Sequence, residues 1–275
     1  IQKFADNKRV FWMNINDKLL QPDGTLSKEI MPDLLHPNAK GYTIWAEAIA
    51  PFVAKTVKAS VTPDHRNDQA WWKKRFDEKI ALVKQGGWEL VFLGDSITHG
   101  WEGGGKDVWA QNFGSYKALN LGYGGDRTEH VLWRLDNGEL DGYQPKLLVL
   151  MIGTNNTGHR PLVQETPEDT AAGIKAILDK IGQKSPATKV LLLAVFPRGA
   201  KPDDALRVRN DKVNALIKGF ADNKRVVFLD FNKEMLEPDG TLSKEMMPDF
   251  LHPQAKGYAI WAKAILPVVK ETLGK

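Results

Sequence analysis

Five short apolar segments, each ended by glycine, proline, aspartate or asparagine, set the strongest limit on how this 275-residue chain folds. Each segment is apolar almost throughout, which is typical of parallel strands buried on both faces rather than of strands with one face in water. The segments read WELVFLGDS from residue 88, KALNLGYGG from 117, KLLVLMIGTNN from 146, KVLLLAVFP from 189 and RVVFLDF from 225. We therefore predict five buried strands.

Segments with apolar residues at helical spacing separate and follow these strands. They cover residues 69–84, 127–136, 167–182, 205–220 and 255–269. Strands that alternate with helices form a parallel sheet with helices on both faces, because each crossover must return the chain to the same end of the sheet. The predicted fold class is thus α/β, a three-layer α/β/α sandwich around a five-stranded parallel sheet.

The composition excludes several other classes of protein. The chain is 42% hydrophobic and 26% charged, which is ordinary for a globular protein. It has no apolar run near the roughly 20 residues that cross a bilayer, so we expect no membrane span. It has no charged-then-apolar leader, so we expect that any secretion signal has been removed or never existed. Its 38 basic and 34 acidic residues are interleaved, which disfavours a nucleic-acid partner. The absence of cysteine excludes disulfides and thiolate metal sites and leaves the compartment open.

An internal repeat divides the chain. Residues 1–57 align without a gap with residues 217–273, and the strings FADNKRV, PDGTLSKE and AKGY occur in both copies. We interpret residues 1–59 as a partial repeat of the C-terminal segment, the tail of a truncated upstream domain. Residues 60–275 are then a complete domain, with a polar, proline-containing boundary at residues 59–67.

The N-terminal copy contains a predicted strand at residues 10–15 and a predicted helix at residues 39–53, both apolar enough to need burial. We therefore predict a homo-oligomer in which residues 1–59 dock on another chain, with exchanged segments as one form of it. The copy also carries Asp33 and His36, an alternative to the corresponding pair near the C-terminus.

Polar residues follow the ends of the predicted strands, where the active sites of open parallel sheets lie. Ser96 follows the first strand at a sharp strand-to-helix turn, a place that exposes a nucleophilic hydroxyl, although a serine there also caps a helix. Gly125 follows the second strand and Asn155 the third. Both could donate N–H groups to an oxyanion, and both are also common in plain turns.

Asp249 and His252 follow the fifth strand, three residues apart. This separation brings a carboxylate beside an imidazole, where it holds one ring N–H and leaves the other nitrogen free to take a proton from serine. A solitary Asp-x-x-His string is weak support for catalysis. It is stronger here because it follows a serine, a glycine and an asparagine at earlier strand ends.

Together, the blocks GDSITHGW, NLGYGGD, GTNN and DFLHP resemble the SGNH, or GDSL-type, hydrolase family, named for a Ser, a Gly, an Asn and a His. The longer string NLGYGGDRTEHVLWRLDNGEL and the segment FPRG are most similar to the branch that contains the platelet-activating-factor acetylhydrolase catalytic subunits. Bacterial carbohydrate acetylesterases carry related strings. The resemblance covers nearly all of residues 70–270, with the blocks in the family's order.

The resemblance implies an SGNH, flavodoxin-like fold and a serine esterase. Ser96 would be the nucleophile, His252 the general base and Asp249 the residue that orients it, with the N–H groups of Ser96 and Gly125 and the Asn155 amide as the oxyanion hole. No metal and no organic cofactor are implied. The expected substrate is a small-molecule or carbohydrate ester with a short acyl group, most simply acetyl.

Two alternatives remain at this point. A lysophospholipase or thioesterase of the same family would use the same residues, because pocket loops set the preference for acyl length. A catalytically silent carbohydrate-binding protein would keep the fold, although the intact blocks argue against it.

Further residues near the strand ends are candidates for the pocket or for support. Trp101 and Glu102 closely follow the serine turn and could wall the pocket, whereas Arg198 after the fourth strand could face the substrate or pair with a carboxylate. We expect Asp95 to hold the serine turn. No zinc-site spacing is present among the histidines considered as ligands, which are His99, His130 and His159.

Overall fold

The computed structural model describes residues 2–5, 11–56, 59–158 and 165–274. It divides into two compact units, residues 1–57 and residues 58–275. Val10 and His159, which entered the predictions above, lie outside the described residues. Each unit is described by itself.

The larger unit contains a five-stranded sheet in which all neighbouring strands are parallel. The strands are β1 Leu90–Gly94, β2 Ala118–Gly122, β3 Leu147–Met151, β4 Lys189–Leu193 and β5 Val226–Leu229. Their order is β2-β1-β3-β4-β5, so the sheet grows in opposite directions from β1. The five predicted strands and the predicted α/β fold are confirmed.

Helices connect and flank these strands. They are α1 Asn16–Leu19, α2 Ala39–Thr56, α3 Ala70–Val83, α4 Ser96–His99, α5 Lys106–Phe113, α6 Thr128–Asp136, α7 Thr154–Gly158, α8 Pro167–Lys184, α9 Ala205–Ile217 and α10 Ala255–Leu273. Short 3-10 turns lie at Gln2–Phe4, Ala59–Val61, Gly100–Glu102, Lys218–Phe220 and Asn232–Met235. The five helices predicted for this unit are confirmed, and α4 is the helix expected at the Ser96 turn, whereas α5 and α7 were not predicted. Within the described ranges, no helix is long and apolar enough to cross a membrane.

Side chains alternate between the two faces of the sheet, and each face has its own core. Val91 and Leu93 of β1 pack with α6, α8 and α9, whereas Leu90 and Phe92 pack with α5 and α10. Strands covered on both faces have no solvent-exposed face, which explains why their sequences are apolar almost throughout. Because both faces are covered, the polar residues of interest lie beyond the carboxyl ends of the strands.

The N-terminal unit confirms the predicted helix as α2, but the strand predicted at residues 10–15 is wrong over the part that is described. Residues 11–15 form no strand. In the larger unit the corresponding residues form β5, which is hydrogen-bonded along β4. A strand exists only where a neighbour satisfies its backbone groups, so an apolar sequence pattern by itself does not make one.

The sequence copies differ in how much apolar side chain they expose. Tyr42, Trp45 and Val53 of α2 are 54%, 44% and 44% exposed. Their counterparts on α10 (Tyr258, Trp261 and Val269) are at most 1% exposed, because α10 packs on the sheet. The N-terminal unit thus exposes a helix face whose copy in the larger unit belongs to a core.

We expect removal of residues 1–57 to leave the larger unit folded and to reduce self-association. The two cores on the sheet lie within residues 58–275, whereas α2 exposes large apolar side chains that favour association. Light scattering after size exclusion, together with thermal unfolding, compares the two chains. A full-length chain that is monomeric at all accessible concentrations would contradict the predicted oligomer.

Candidate active site

The turn after β1 places Ser96 at the start of α4. The Asp95 carboxylate accepts a hydrogen bond from the Ile97 N–H at 3.0 Å and so caps this helix, as expected for a residue that holds the turn. Gly94 has no room for a side chain, because a Cβ there would overlap the Met151 carbonyl. Burial raises the pKa of Asp95 to about 7. As the first residue of the helix, Ser96 has an N–H without an intrahelical acceptor.

The end of the long connection from β5 to α10 forms the predicted carboxylate–imidazole pair. Asp249 Oδ1 accepts hydrogen bonds from the N–H groups of Leu251 and His252, at 3.1 and 2.8 Å. Its other oxygen, Oδ2, lies 2.6 Å from His252 Nδ1. The remaining ring nitrogen, Nε2, lies 2.9 Å from Ser96 Oγ. The structure thus brings Ser96, His252 and Asp249 into one hydrogen-bonded row across 156 residues of sequence.

The hydrogen bonds of this row favour the ionised form of Asp249. Partial burial opposes ionisation of Asp249, but hydrogen bonds from the His252 side chain and N–H outweigh it and lower the pKa of the carboxyl below its usual value. An ionised Asp249 holds a proton on His252 Nδ1 and leaves Nε2 with a lone pair toward the serine hydroxyl.

Gly125 and Asn155 provide further N–H groups beside Ser96. Gly125 has φ +73, a backbone conformation that favours glycine, and its N–H has no acceptor in the described parts of the chain. Asn155 donates one amide N–H to the Asp126 carbonyl at 2.9 Å, which leaves its second N–H available. Ser96, Gly125, Asn155 and His252 all border the same cavity.

This cavity has a volume of about 490 Å³. It is lined by Asp64, His65, Arg66, Asp68, Gln69, Ser96, Gly125, Arg127, His130, Asn155, Leu251 and His252. Apart from Leu251 and Gly125, these residues have polar or charged side chains. The segment interpreted above as a domain boundary therefore supplies one wall. Its polar, proline-containing composition is typical of a linker, and no local signal shows that it folds over the site.

Two of the expected pocket residues do not border the cavity. Trp101 is wrong as a wall residue, because it is 1% exposed and packs against Tyr258 and Trp261, with ring centroids 4.6 and 5.0 Å away. Glu102 instead pairs with Arg75 and Lys79 at 2.8 and 2.7 Å. Although burial opposes ionisation, these partners lower the pKa of Glu102 to about 2.

Arg198 also lies off this cavity. Its guanidinium donates to the Thr154 carbonyl at 2.8 Å, and it borders a neighbouring cavity together with Asp249. Its contact with the backbone of α7 does not test whether Arg198 also faces a substrate, so that role stays a prediction.

The N-terminal copy forms the same pair by itself. His36 Nδ1 lies 2.6 Å from Asp33 Oδ2, and Asp33 Oδ1 accepts the His36 N–H at 2.7 Å. The residue after the aspartate has positive φ in both copies, 59° at Leu34 and 56° at Phe250. The geometry of the carboxylate–imidazole pair is thus a local property of this turn.

A buried charge network supports the site and was not predicted from the sequence. Arg134 lies in the core, where its Nε donates to Asp126 Oδ2 at 2.9 Å and its Nη1 to Glu139. Its other donors reach the carbonyl oxygens of Gly94 and Leu121 at 3.2 Å each. Arg134 therefore joins the ends of β1 and β2, and an arginine on an apparently amphipathic helix gives no sign of this.

Comparisons with known proteins relate this chain to others in sequence and in fold. The GDSL-like lipase/acylhydrolase family model matches residues 92–260. The alpha1 subunit of platelet-activating factor acetylhydrolase IB from Homo sapiens is 38% identical over 198 residues, covering 70% of this chain and 80% of that subunit. The alpha2 subunit from Rattus norvegicus is 36% identical over 203 residues, covering 74% and 85%.

Solved structures share the fold. A GDSL-like lipase from Bacteroides thetaiotaomicron has a TM-score of 0.59 at 22% identity and covers 72% of this chain and 97% of its own. The acetylxylan esterase Axe2 from Geobacillus stearothermophilus has a TM-score of 0.54 at 19% identity and covers 66% and 94%. The resemblance seen in the sequence blocks is confirmed, and the chain belongs to the GDSL-like lipase/acylhydrolase family of ester-bond hydrolases.

Proposed function

We propose that this protein is a serine esterase that removes short acyl groups, most simply acetyl, from carbohydrate esters. The observation that carries the proposal is the 2.9 Å contact of Ser96 Oγ with His252 Nε2, together with the 2.6 Å contact of His252 Nδ1 with Asp249. A silent binding protein has no need of this alignment, so we favour an active enzyme.

The first half of the proposed reaction forms an acyl-enzyme. Ser96 Oγ attacks the ester carbonyl carbon while its proton passes to His252 Nε2. The carbonyl oxygen takes up the electron pair, and the N–H groups of Ser96 and Gly125 with the Asn155 amide stabilise this oxyanion. The bond to the alcohol oxygen then breaks, and the alcohol leaves with the proton from His252.

The second half releases the acid. Water attacks the acyl carbonyl and gives a proton to His252, and the resulting tetrahedral intermediate expels Ser96 Oγ, which takes that proton back. Asp249 keeps its negative charge throughout and stabilises the imidazolium each time it forms. These three side chains and water account for every proton in the cycle.

The lining of the cavity supports a short acyl group and a hydroxyl-rich alcohol. Leu251 is the one large apolar side chain among the described lining residues, which leaves little apolar surface for the long chain of a lysophospholipid. The side chains of Asp64, Asp68 and Gln69 offer hydrogen-bond partners to sugar hydroxyls. Relatives named for acetylhydrolase and acetylxylan esterase activity share acetyl as the group removed, which is consistent with this choice.

Hydrolysis of p-nitrophenyl acetate, measured beside the octanoate, tests the proposed function. We expect the acetate to be cleaved faster, because little apolar surface is available for a longer chain. Ser96→Ala and His252→Ala should each lower kcat by roughly 10⁶-fold, since the nucleophile and its base act as a unit. His36→Ala is the matched control and should keep full activity.

A different outcome of the same experiment would change the assignment. Loss of activity in His36→Ala with retention in His252→Ala would show that the N-terminal pair serves Ser96. An inactive wild type that still binds acetylated sugars would favour the silent binding protein instead.

The Asn155 amide is expected to act in the transition state rather than in substrate binding. Asn155→Ala should lower kcat by about 10²–10³-fold with little change in KM, because the lost N–H serves the oxyanion more than the ground-state carbonyl. Steady-state kinetics with p-nitrophenyl acetate measure this. An increase in KM at unchanged kcat would exclude the proposed role.

A further inference from the structure

We propose that Arg66 is a positioning residue that holds the Gly124–Gly125 peptide in the orientation needed for the oxyanion hole. The inference rests on the proposed function, because it concerns the N–H of Gly125 in that reaction. Arg66 lies in the loop before α3, outside the sequence blocks that identify the family.

The guanidinium of Arg66 contacts both sides of the glycine turn. Its Nη1 donates to the Gly124 carbonyl oxygen at 2.7 Å and lies 3.2 Å from Asp126 Oδ1. Its Nη2 donates to Gln69 Oε1 at 2.8 Å, which fixes the plane of the fork. Arg66 is therefore hydrogen-bonded to the residues directly before and after Gly125.

The hydrogen bond from Arg66 to the Gly124 carbonyl also sets the orientation of the Gly125 N–H. The Gly124 carbonyl and the Gly125 N–H belong to one peptide, which is planar and trans and in which the two groups point in opposite directions. A hydrogen bond that holds the oxygen toward Arg66 therefore holds the N–H away from it. That N–H has no acceptor within the described residues, and Gly125 borders the cavity beside Ser96.

The glycine turn needs such an external constraint. The Asp126 N–H donates to the Tyr123 carbonyl at 3.2 Å and closes the turn, but this bond does not fix the central peptide, and two consecutive glycines leave that peptide more freedom to rotate than any other pair of residues. A side chain at Gly125 would be strained by its φ of +73, and its Cβ would lie 3.1 Å from Arg66 Nη1. The glycines have no side chains that could fix their shared peptide, so the hydrogen bond from Arg66 to the Gly124 carbonyl supplies that constraint.

The charge of Arg66 is already matched within the protein. The carboxylate of Asp126 is fully buried, accepts from Trp72 Nε1 at 2.7 Å and lies within ion-pair distance of Arg66. An arginine paired in this way is poorly placed to bind an anionic substrate. Its effect should therefore appear in the chemical step rather than in substrate affinity.

The test is steady-state kinetics of full-length Arg66→Ala with p-nitrophenyl acetate. We expect kcat to fall by about 10–10²-fold, the size of loss that follows misplacement of a catalytic group by about 1 Å, with KM nearly unchanged. Added guanidinium ion at non-denaturing concentration should restore part of kcat. Arg66→Lys keeps the charge and one donor to Gly124, so it should lose less activity and guards against misfolding of the alanine variant.

Arg225→Ala is the matched control, because Arg225 is also half-buried and donates to a backbone carbonyl, at Leu178, but lies before β5 at the opposite end of the strands. It should leave kcat unchanged. The positioning role is overturned if Arg66→Ala raises KM at constant kcat, if guanidinium restores nothing while the fold is intact, or if Arg225→Ala loses as much. A wild type no faster than Ser96→Ala would overturn the proposed function itself, and this role with it.

Discussion

The buried guanidinium of Arg134 is the interaction on which the rest of the site depends. It donates to the carboxylates of Asp126 and Glu139 and to the carbonyl oxygens of Gly94 and Leu121. A buried charge is costly unless it is paired, so this arginine is accommodated only when the ends of β1 and β2 lie on either side of it. Removing one partner of such a pair typically costs about 3–5 kcal/mol. The turns that carry the candidate nucleophile and the glycine N–H begin at these two strand ends.

The candidate site combines parts that form locally with parts that the sheet brings together. The carboxylate–imidazole turn is local, because Asp33–His36 and Asp249–His252 reach the same 2.6 Å contact in two separate units. Contact with a serine is not local, since Ser96 and His252 are 156 residues apart. It requires parallel strands whose carboxyl ends share one edge. Comparison of the two copies thus shows that the Asp–His pair forms in either unit, whereas its contact with a serine forms at His252.

The blocks that identify the family and the wall of the cavity beside them come from different parts of the sequence. The blocks at the strand ends place the chain among ester-bond hydrolases, whose acyl chemistry they share. The cavity wall beside them comes from residues 64–69, which precede the first of those blocks. Under the proposed function, the same loop lines the substrate cavity and, through Arg66, contacts the glycine turn at Gly124.

The sequence by itself determined the five strands, the main helices, the parallel α/β fold, the strand ends that Ser96, Gly125 and Asn155 follow, and the position of His252 before the last helix. Hydrophobic periodicity and turn residues carry this information, because they reflect burial of each segment by itself. Only the tertiary structure decided that Trp101 belongs to the core, that residues 64–69 wall the cavity, and that residues 11–15 form no strand. Those outcomes depend on which distant segment supplies a packing surface or a hydrogen-bonding neighbour, and no local pattern records that choice.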